Sequence, residues 1–121
     1  MPRIHEDPRI CPIVRTVNYI GNKWKPLILI LLREGKMRFG KLQMHLPGIS
    51  KKILTTQLRE LERDGLVIRH SFHEKPPRVE YEATALAMSL IPVFQAMYDW
   101  GITVKDRSGF TSDLPVPARP S

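Results

Sequence analysis

One segment of the sequence, ISKKILTTQLRELERDG, carries basic and hydroxyl side chains at a helical spacing. Leu54, Leu58 and Leu61 recur at i, i+4 and i+7, which predicts a helix with one apolar face. The opposite face carries Lys52, Thr55, Thr56, Arg59 and Arg63. Such groups bind phosphate oxygens and base edges, but on an isolated helix they are more often a solvated surface. The neighbouring elements therefore decide between the two interpretations.

The charge of the chain is concentrated around this segment. The net charge is +7, and residues 33–78 hold 11 Lys and Arg against 5 Asp and Glu, an excess of 6. A concentrated basic segment favours a polyanionic partner. The length of 121 residues predicts one domain with a single modest core.

The cellular setting is also predicted from the sequence. The longest apolar run, Leu27–Leu32, is much shorter than the ~20 residues of a membrane span, so we expect no membrane partner. The N-terminus has no continuous apolar stretch of the secretory type. A single cysteine excludes an internal disulfide framework and fits a reducing compartment, so we expect the cytoplasm.

Helix signals divide the first half of the chain. Residues 1–10 are expected to form a flexible arm, and residues 11–105 the folded domain. Cys11 followed by Pro12 predicts the start of a first helix that ends at Gly21. Asn22 is expected to cap a second, core helix that extends to Gly35. An extended piece at 37–39, a helix at 40–46 and a helix at 50–64 should follow.

The period changes to alternation in the second half. LVIRHSFH and RVEYEAT predict two strands joined by EKPP, a hairpin with a basic loop. A long last helix should begin near Thr84 and bend at Pro92, which we place in its interior. Residues 106–121 hold several prolines and few apolar residues, so we expect a flexible tail or one that packs on another subunit.

Two helices joined by a short turn and followed by a basic hairpin describe a winged helix-turn-helix, a mainly α fold with a small β-hairpin wing. In this arrangement the helix at 50–64 enters the major groove of DNA and the hairpin tip lies along the minor groove. Gln57 could pair with adenine if it points outward, whereas Arg63 should form a local ion pair. The predicted DNA-binding residues are Ser50, Lys51, Lys52, Thr55, Thr56, Arg59, Lys75 and Arg78.

Several motifs in order carry a family resemblance. They are CPI…IGNKWKPLIL, RFGKL…LPGISKKILTTQLRELERDGLV, PPRVEYEATALAMSLIPV and a terminal WG. Together they resemble the HxlR-type winged-helix transcription regulators, relatives of the MarR group, over about residues 11–101. The resemblance implies a homodimer that binds a pseudo-palindromic operator in double-stranded DNA, commonly as a repressor. Ala87 departs from the glycine often found there, which concerns local packing.

A dimer also follows from the distribution of apolar residues. The first and last helices carry more apolar surface than a domain of this size needs, although they could simply cover their own sheet. One recognition helix also reads few base pairs. The predicted dimer residues are Ile13, Val17, Phe94, Met97 and Trp100.

Cys11 is the candidate for regulation. It lies at a helix start, where the helix dipole stabilises a thiolate, and Arg9 and Arg15 are near in sequence. Some members of the resembled family sense oxidants or electrophiles through a cysteine in this Cys-Pro position. The hypothesis is that oxidation of Cys11 changes DNA affinity. The alternatives are a silent capping thiol and a small-molecule effector.

Other classes of function receive little support. The sequence has no phosphate-binding glycine loop, no Cys-x-x-Cys and no paired carboxylates in an apolar setting, so an enzyme is not expected and no cofactor is predicted. His70 and His73 are three apart on a strand and face opposite sides, so no metal site is expected. An RNA-binding module would need stacking aromatics in the hairpin, where only Phe72 and Tyr81 qualify. The basic excess argues against a pure protein-interaction module.

Overall fold

The computed structural model describes residues 6–104, which form six helices and a three-stranded sheet. Within this range no helix is long and apolar enough to cross a membrane. The elements in chain order are α1 Pro12–Ile20, α2 Trp24–Leu32, β1 Met37–Arg38, α3 Phe39–Met44, α4 Lys51–Arg63, β2 Val67–Phe72, β3 Arg78–Ala83, α5 Ala85–Met88 and α6 Ile91–Thr103. The fold is thus the predicted mainly α class with a small sheet.

The sheet is a hairpin extended by one short strand. β2 and β3 pair antiparallel from Val67 opposite Ala83 to Phe72 opposite Arg78. β1 pairs with the other edge of β3, where Met37 lies opposite Tyr81, and the strand order is β1-β3-β2. The sequence predicted the hairpin and an extended piece at 37–39, but not their pairing. The sheet thereby connects the wing to the start of α3.

The core lies between α2 and the helices of the helix-turn-helix. Ile28 and Leu32 of α2 belong to one buried cluster with Leu42 of α3. The inner row of α4 joins the same cluster through Leu54, Leu58 and Leu61. Burying a leucine side chain stabilises a fold by roughly 1.5–3 kcal/mol relative to exposure, so this row fixes α4 strongly to the domain.

Three of the predicted helix starts are capped by side chains. The Ser50 hydroxyl accepts a hydrogen bond from the Ile53 amide at 3.1 Å. The Thr84 hydroxyl accepts from the Ala87 amide at 3.2 Å and donates to the Gly65 carbonyl at 2.7 Å. The Asn22 carboxamide oxygen accepts from the Trp24 amide at 2.9 Å. The three bonds accepted from amides satisfy groups that the helices themselves leave without a partner, and the bond to Gly65 fixes Thr84 to the end of α4.

The prediction of one long C-terminal helix was wrong. The chain forms a short α5, a break at Ser89-Leu90, and then α6. Pro92 lies in the first turn of α6, where its missing N–H costs no helical hydrogen bond. The proline therefore marks a helix start and not a bend. The predicted tail at 106–121 and residues 1–5 of the predicted arm lie outside the described residues.

Candidate nucleic-acid interface

The outer face of α4 presents the predicted basic row. Lys52, Thr56, Arg59 and Arg63 recur at i, i+4, i+7 and i+11, and all four are exposed. Ser50 and Lys51 are also exposed at the start of the helix, and Thr55 is half-buried at the side of the row. The structure therefore brings all six predicted α4 residues to one end and side of a single helix.

Three further side chains of α4 differ in their surroundings. Gln57 is buried, and its amide oxygen accepts a hydrogen bond from Asn22 at 2.9 Å, so it faces the domain and not DNA. Ile53 was not singled out from the sequence, but it is exposed beside Lys52 and offers an apolar contact of the kind that thymine methyl groups accept. Arg63 forms the local ion pair predicted for it, with Asp64 at 3.5 Å.

An ion pair between a buried lysine and a half-buried glutamate ties α4 to α2. The Lys25 ammonium donates to a Glu60 carboxylate oxygen at 2.7 Å. The Lys25 side chain is 6% exposed and that of Glu60 is 34% exposed, so the contact lies at the edge of the core. This hydrogen bond and the positive charge of Lys25 hold the pKa of Glu60 below its ordinary value.

A second contact lies one helical turn away. The Asn22 amide nitrogen donates to Gln57, while its oxygen accepts from the Trp24 and Lys25 amides at 2.9 and 3.3 Å. Asn22 therefore caps α2 and binds α4 at the same time. We call the pairs Asn22–Gln57 and Lys25–Glu60 the polar clamp. The sequence offered one signal of it, a lysine within the otherwise apolar WKPLILILL helix.

The two wing residues predicted to bind DNA, Lys75 and Arg78, differ in exposure. Lys75 is exposed at the tip between β2 and β3. Arg78 is half-buried: its guanidinium group lies 4.1 Å from the centre of the Phe72 ring and 3.2 Å from Glu74. Arg78 thus braces the wing internally. Arg69 is exposed on β2, and His70 bonds Glu82 at 3.0 Å.

Further exposed cations lie on the first helix of the motif. Arg38 precedes α3, Lys41 lies in it, and both are exposed. Both fall within the basic segment 33–78, although no DNA contact was predicted for either. Both belong to the helix-turn-helix itself, so they extend the positive surface beyond α4.

Cys11 lies at the N-cap position of α1, as predicted, and is only 4% exposed. Its backbone amide donates to the Asp7 carbonyl at 2.9 Å. Arg9 pairs with Asp7, and Arg15 donates to the Pro8 and Arg9 carbonyls at 2.8 and 3.1 Å. The two arginines thus bind the segment that precedes Cys11.

The terminal helices expose apolar side chains. No residue of α1 is buried, and Ile13 is 63% exposed, with Val17 beside it one turn later. On α6 Met97 and Trp100 are exposed, Trp100 by 69%. Phe94, predicted to lie at a dimer contact, is 2% exposed and packs in the core of its own chain. The exposed members of the predicted dimer set are therefore Ile13, Val17, Met97 and Trp100.

A small cleft opens between α1 and the start of the C-terminal helices. It has a volume of about 190 Å³ and is lined by Arg15, Thr16, Tyr19, Leu66, Leu86, Ser89 and Leu90. Pockets for drug-sized ligands usually measure ~300–1,000 Å³, so this cleft is small for such a ligand. Among residues 6–104, no group of three or more His, Cys, Asp or Glu side chains is placed to hold a metal ion.

Comparisons with known proteins agree with this geometry. The model of the HxlR-like helix-turn-helix family matches residues 19–108. The HTH-type transcriptional regulator YdeP of Bacillus subtilis is 45% identical over 97 residues, which cover 80% of this chain and 76% of YdeP. The relatives are regulators and not enzymes.

Two solved structures are similar to this chain in fold as well as in sequence. The redox regulator HypR in its oxidised form is 41% identical with a TM-score of 0.72, over 77% of this chain and 96% of that one. The diamide-treated regulator YodB of B. subtilis is 34% identical with a TM-score of 0.65, over 77% and 93% of the two chains.

The Glu60 contact generates a prediction about pH. A carboxyl group whose pKa is lowered by folding stabilises the fold above its ordinary pKa, and this contribution is lost as the pH falls through the lowered pKa of the folded state. We expect Glu60→Gln to be less stable than wild type at neutral pH, because Lys25 then lacks a counter-charge. The difference should shrink below about pH 4 as wild-type Glu60 becomes protonated.

Urea denaturation between about pH 7 and pH 3 measures this difference. Glu62→Gln is the matched control, because Glu62 is exposed on the same helix and its replacement should give a small offset at every pH. A deficit of Glu60→Gln that persisted unchanged at the acid end would contradict the prediction.

Proposed function

Because the chain belongs to the HxlR-like helix-turn-helix family of transcription regulators, we propose that it binds double-stranded DNA in a sequence-specific manner. The observation that carries the proposal is the exposed row of Lys52, Thr56 and Arg59 on α4. α4 is the second helix of the motif, the one that enters the major groove. Its inner leucines leave this row directed away from the core.

In this proposal the residues of α4 and of the wing serve different contacts with DNA. Arg59 and Lys52 reach guanine edges or phosphates, while Thr55, Thr56 and Ile53 offer hydroxyl and methyl groups to thymine and to the backbone. Ser50 and Lys51 lie at the helix N-terminus, where amide groups favour phosphate. Lys75 contacts the backbone near the minor groove, and Arg78 keeps the wing in shape for it.

We infer that the binding unit is a homodimer. α1 has nine residues, none of them buried within the chain, and helices shorter than about 12–15 residues are marginal on their own. A second copy would cover Ile13, Val17, Met97 and Trp100 about a two-fold axis. Two recognition helices then read the two halves of a pseudo-palindromic operator. Bound across a promoter, such a dimer would act as a repressor.

We propose that Cys11 makes this binding responsive to oxidants. HypR is described as a redox regulator with an oxidised form, and YodB was treated with the thiol oxidant diamide. Each chain has one cysteine, so a disulfide would join two chains or one chain and a small thiol. Two thiols lose two protons and two electrons, which reduce diamide to the hydrazine. Since Cys11 is buried, the reaction needs the segment before α1 to open.

Replacing Arg59 or Lys52 by alanine should weaken DNA binding without unfolding the protein, because both side chains are exposed. A base contact by Arg59 predicts a position-specific loss of about 1–3 kcal/mol, and a phosphate contact predicts a uniform loss with a salt slope reduced by about 1. Fluorescence anisotropy with an operator chosen by selection from random duplexes provides the measurement. Arg63→Ala is the control on the same face and should lose less. Wild-type affinity in both variants would place the DNA surface elsewhere.

The dimer is tested by Trp100→Asp, which puts a charge into the exposed apolar surface of α6. We expect a large fall in the dimer fraction by sedimentation, since an unpaired buried charge costs several kcal/mol. Met44→Asp, at another exposed apolar side chain, should leave the dimer intact. A wild-type protein that sediments as a monomer at micromolar concentration would refute the dimer.

The role of Cys11 is tested by operator binding before and after diamide treatment, with Cys11→Ser as control. We expect the affinity of the wild type to change while that of Cys11→Ser stays constant, and non-reducing gels and mass spectra to show the oxidised product. Equal affinity of wild-type protein with oxidised and reduced Cys11 would remove the sensor and leave the DNA-binding proposal intact.

A further inference from the structure

We propose that Asn22 and Lys25 are positioning residues that set the orientation of α4 on DNA through the polar clamp. This inference rests on the proposed DNA-binding function and adds residues that do not themselves face DNA. The two contacts measure 2.9 Å between Asn22 and Gln57 and 2.7 Å between Lys25 and Glu60.

The spacing of the clamp defines a register between the helices. Its two residues on the α2 side are three apart, and their partners on α4 are also three apart. Gln57 and Glu60 therefore lie about one turn apart on the same side of α4, while Lys25 lies in the first turn of α2 and Asn22 just before that helix. A slide or rotation of α4 that preserved one contact would lengthen the other. Two such contacts specify position along the axis and rotation about it.

The leucine row cannot supply this precision alone. Apolar contacts are non-directional, and cores tolerate changed packing with loss of uniqueness before loss of stability. A hydrogen bond, in contrast, weakens steeply outside a narrow range of distance and angle. Leu54, Leu58 and Leu61 therefore keep α4 against the domain, and the clamp selects one orientation among those that the leucines allow.

The energetics favour a positioning role over a stabilising one. Placing the Lys25 ammonium at the edge of the core costs desolvation, and a buried ion pair often contributes no more stability than apolar residues of similar volume. Gln57 is also a buried polar residue on the otherwise apolar inner face of α4. Neither polar side chain is what simple core packing would favour, and each bonds across the boundary between α4 and the segment Asn22–Lys25.

The clamp residues of α4 are adjacent in sequence to the residues proposed to contact DNA. Gln57 follows Thr56, and Glu60 follows Arg59. The clamp residues and the residues proposed to contact DNA therefore occupy neighbouring positions of one helix. A rotation of α4 by about 20° would move its outer surface, ~5–6 Å from the axis, by about 2 Å. Such a shift is larger than the tolerance of a hydrogen bond to a base. Loss of the clamp should therefore reduce specific binding more than general attraction to phosphate.

The backbone at the clamp leaves space for the lysine. A Cβ atom on Gly21 would lie 3.0 Å from the Lys25 ammonium nitrogen, and Gly21 has a positive φ of 72°. Any larger residue would press on the ammonium group. The glycine thus permits both the end of α1 and the path of Lys25 toward Glu60.

The test uses a double variant of the full chain, Lys25→Met with Glu60→Leu, which removes both charges together. The matched control is Lys23→Met with Glu62→Leu, because both residues are exposed, lie near the clamp in sequence and give the same change in net charge. Affinities are measured for a selected operator and for an unrelated duplex at equal salt concentration, and thermal unfolding is followed in parallel.

We expect the clamp variant to remain folded, to lose about tenfold in operator affinity, comparable to one lost base contact, and to keep its affinity for the unrelated duplex. The control should retain the wild-type ratio of the two affinities. Gln57→Met provides a second variant that alters no charge and should lower the same ratio, including where the double variant fails to fold.

The possible results distinguish a failure of the positioning role of the clamp from a failure of the proposed DNA-binding function. If wild-type protein prefers no sequence, the proposed function fails and the inference with it. If the wild type is specific and folded clamp variants keep its affinity ratio, the positioning role is refuted while the function stands. Equal losses on both duplexes, matching a loss of folded protein, would also refute it, because a purely structural role predicts that result.

Discussion

The packing of α4 by its leucine row is the interaction on which the rest of the structure depends. Leu54, Leu58 and Leu61 are buried among residues of α2 and α3, and the opposite face of the same helix is thereby exposed. One 13-residue helix thus completes the core and offers the basic row. Because the two faces share a backbone, any disturbance of the core under α4 also displaces the side chains proposed to read DNA.

Elements with a strong local signal could be predicted from the sequence. The predicted starts of α1 at Cys11-Pro12 and of α4 near residue 50, and the alternation of the two hairpin strands, all depend on residues close together in the chain. The basic row of α4 followed from the same periodicity. Pro92 misled the prediction because a proline is compatible both with a bend and with a first turn, and the break at Ser89-Leu90 carries no glycine to decide between them.

Contacts between distant parts of the chain could not be predicted. β1 has only two residues, and its place in the sheet depends on pairing with Tyr81 and Glu80, more than 40 positions away. Each contact of the clamp joins residues 35 apart, so the sequence alone does not distinguish Glu60 from its exposed neighbour Glu62. Phe94 shared the helical spacing of Met97 and Trp100, but only the packed structure shows that it is buried. Periodicity identifies a face without identifying what covers it.

The position of α1 connects the dimer with the regulation proposed for Cys11. α1 buries none of its own residues in this chain, whereas Cys11, just before it, is buried. A reagent can therefore reach the thiol only if the segment at the start of α1 moves. The same helix carries Ile13 and Val17 toward the proposed partner and ends at Gly21, against Lys25 of the clamp. Movement of α1 would thus disturb the subunit contact at one side and the support of α4 at the other. This arrangement gives a modification at Cys11 a physical route to the DNA-binding face, since each step of the route is a contact between neighbouring elements.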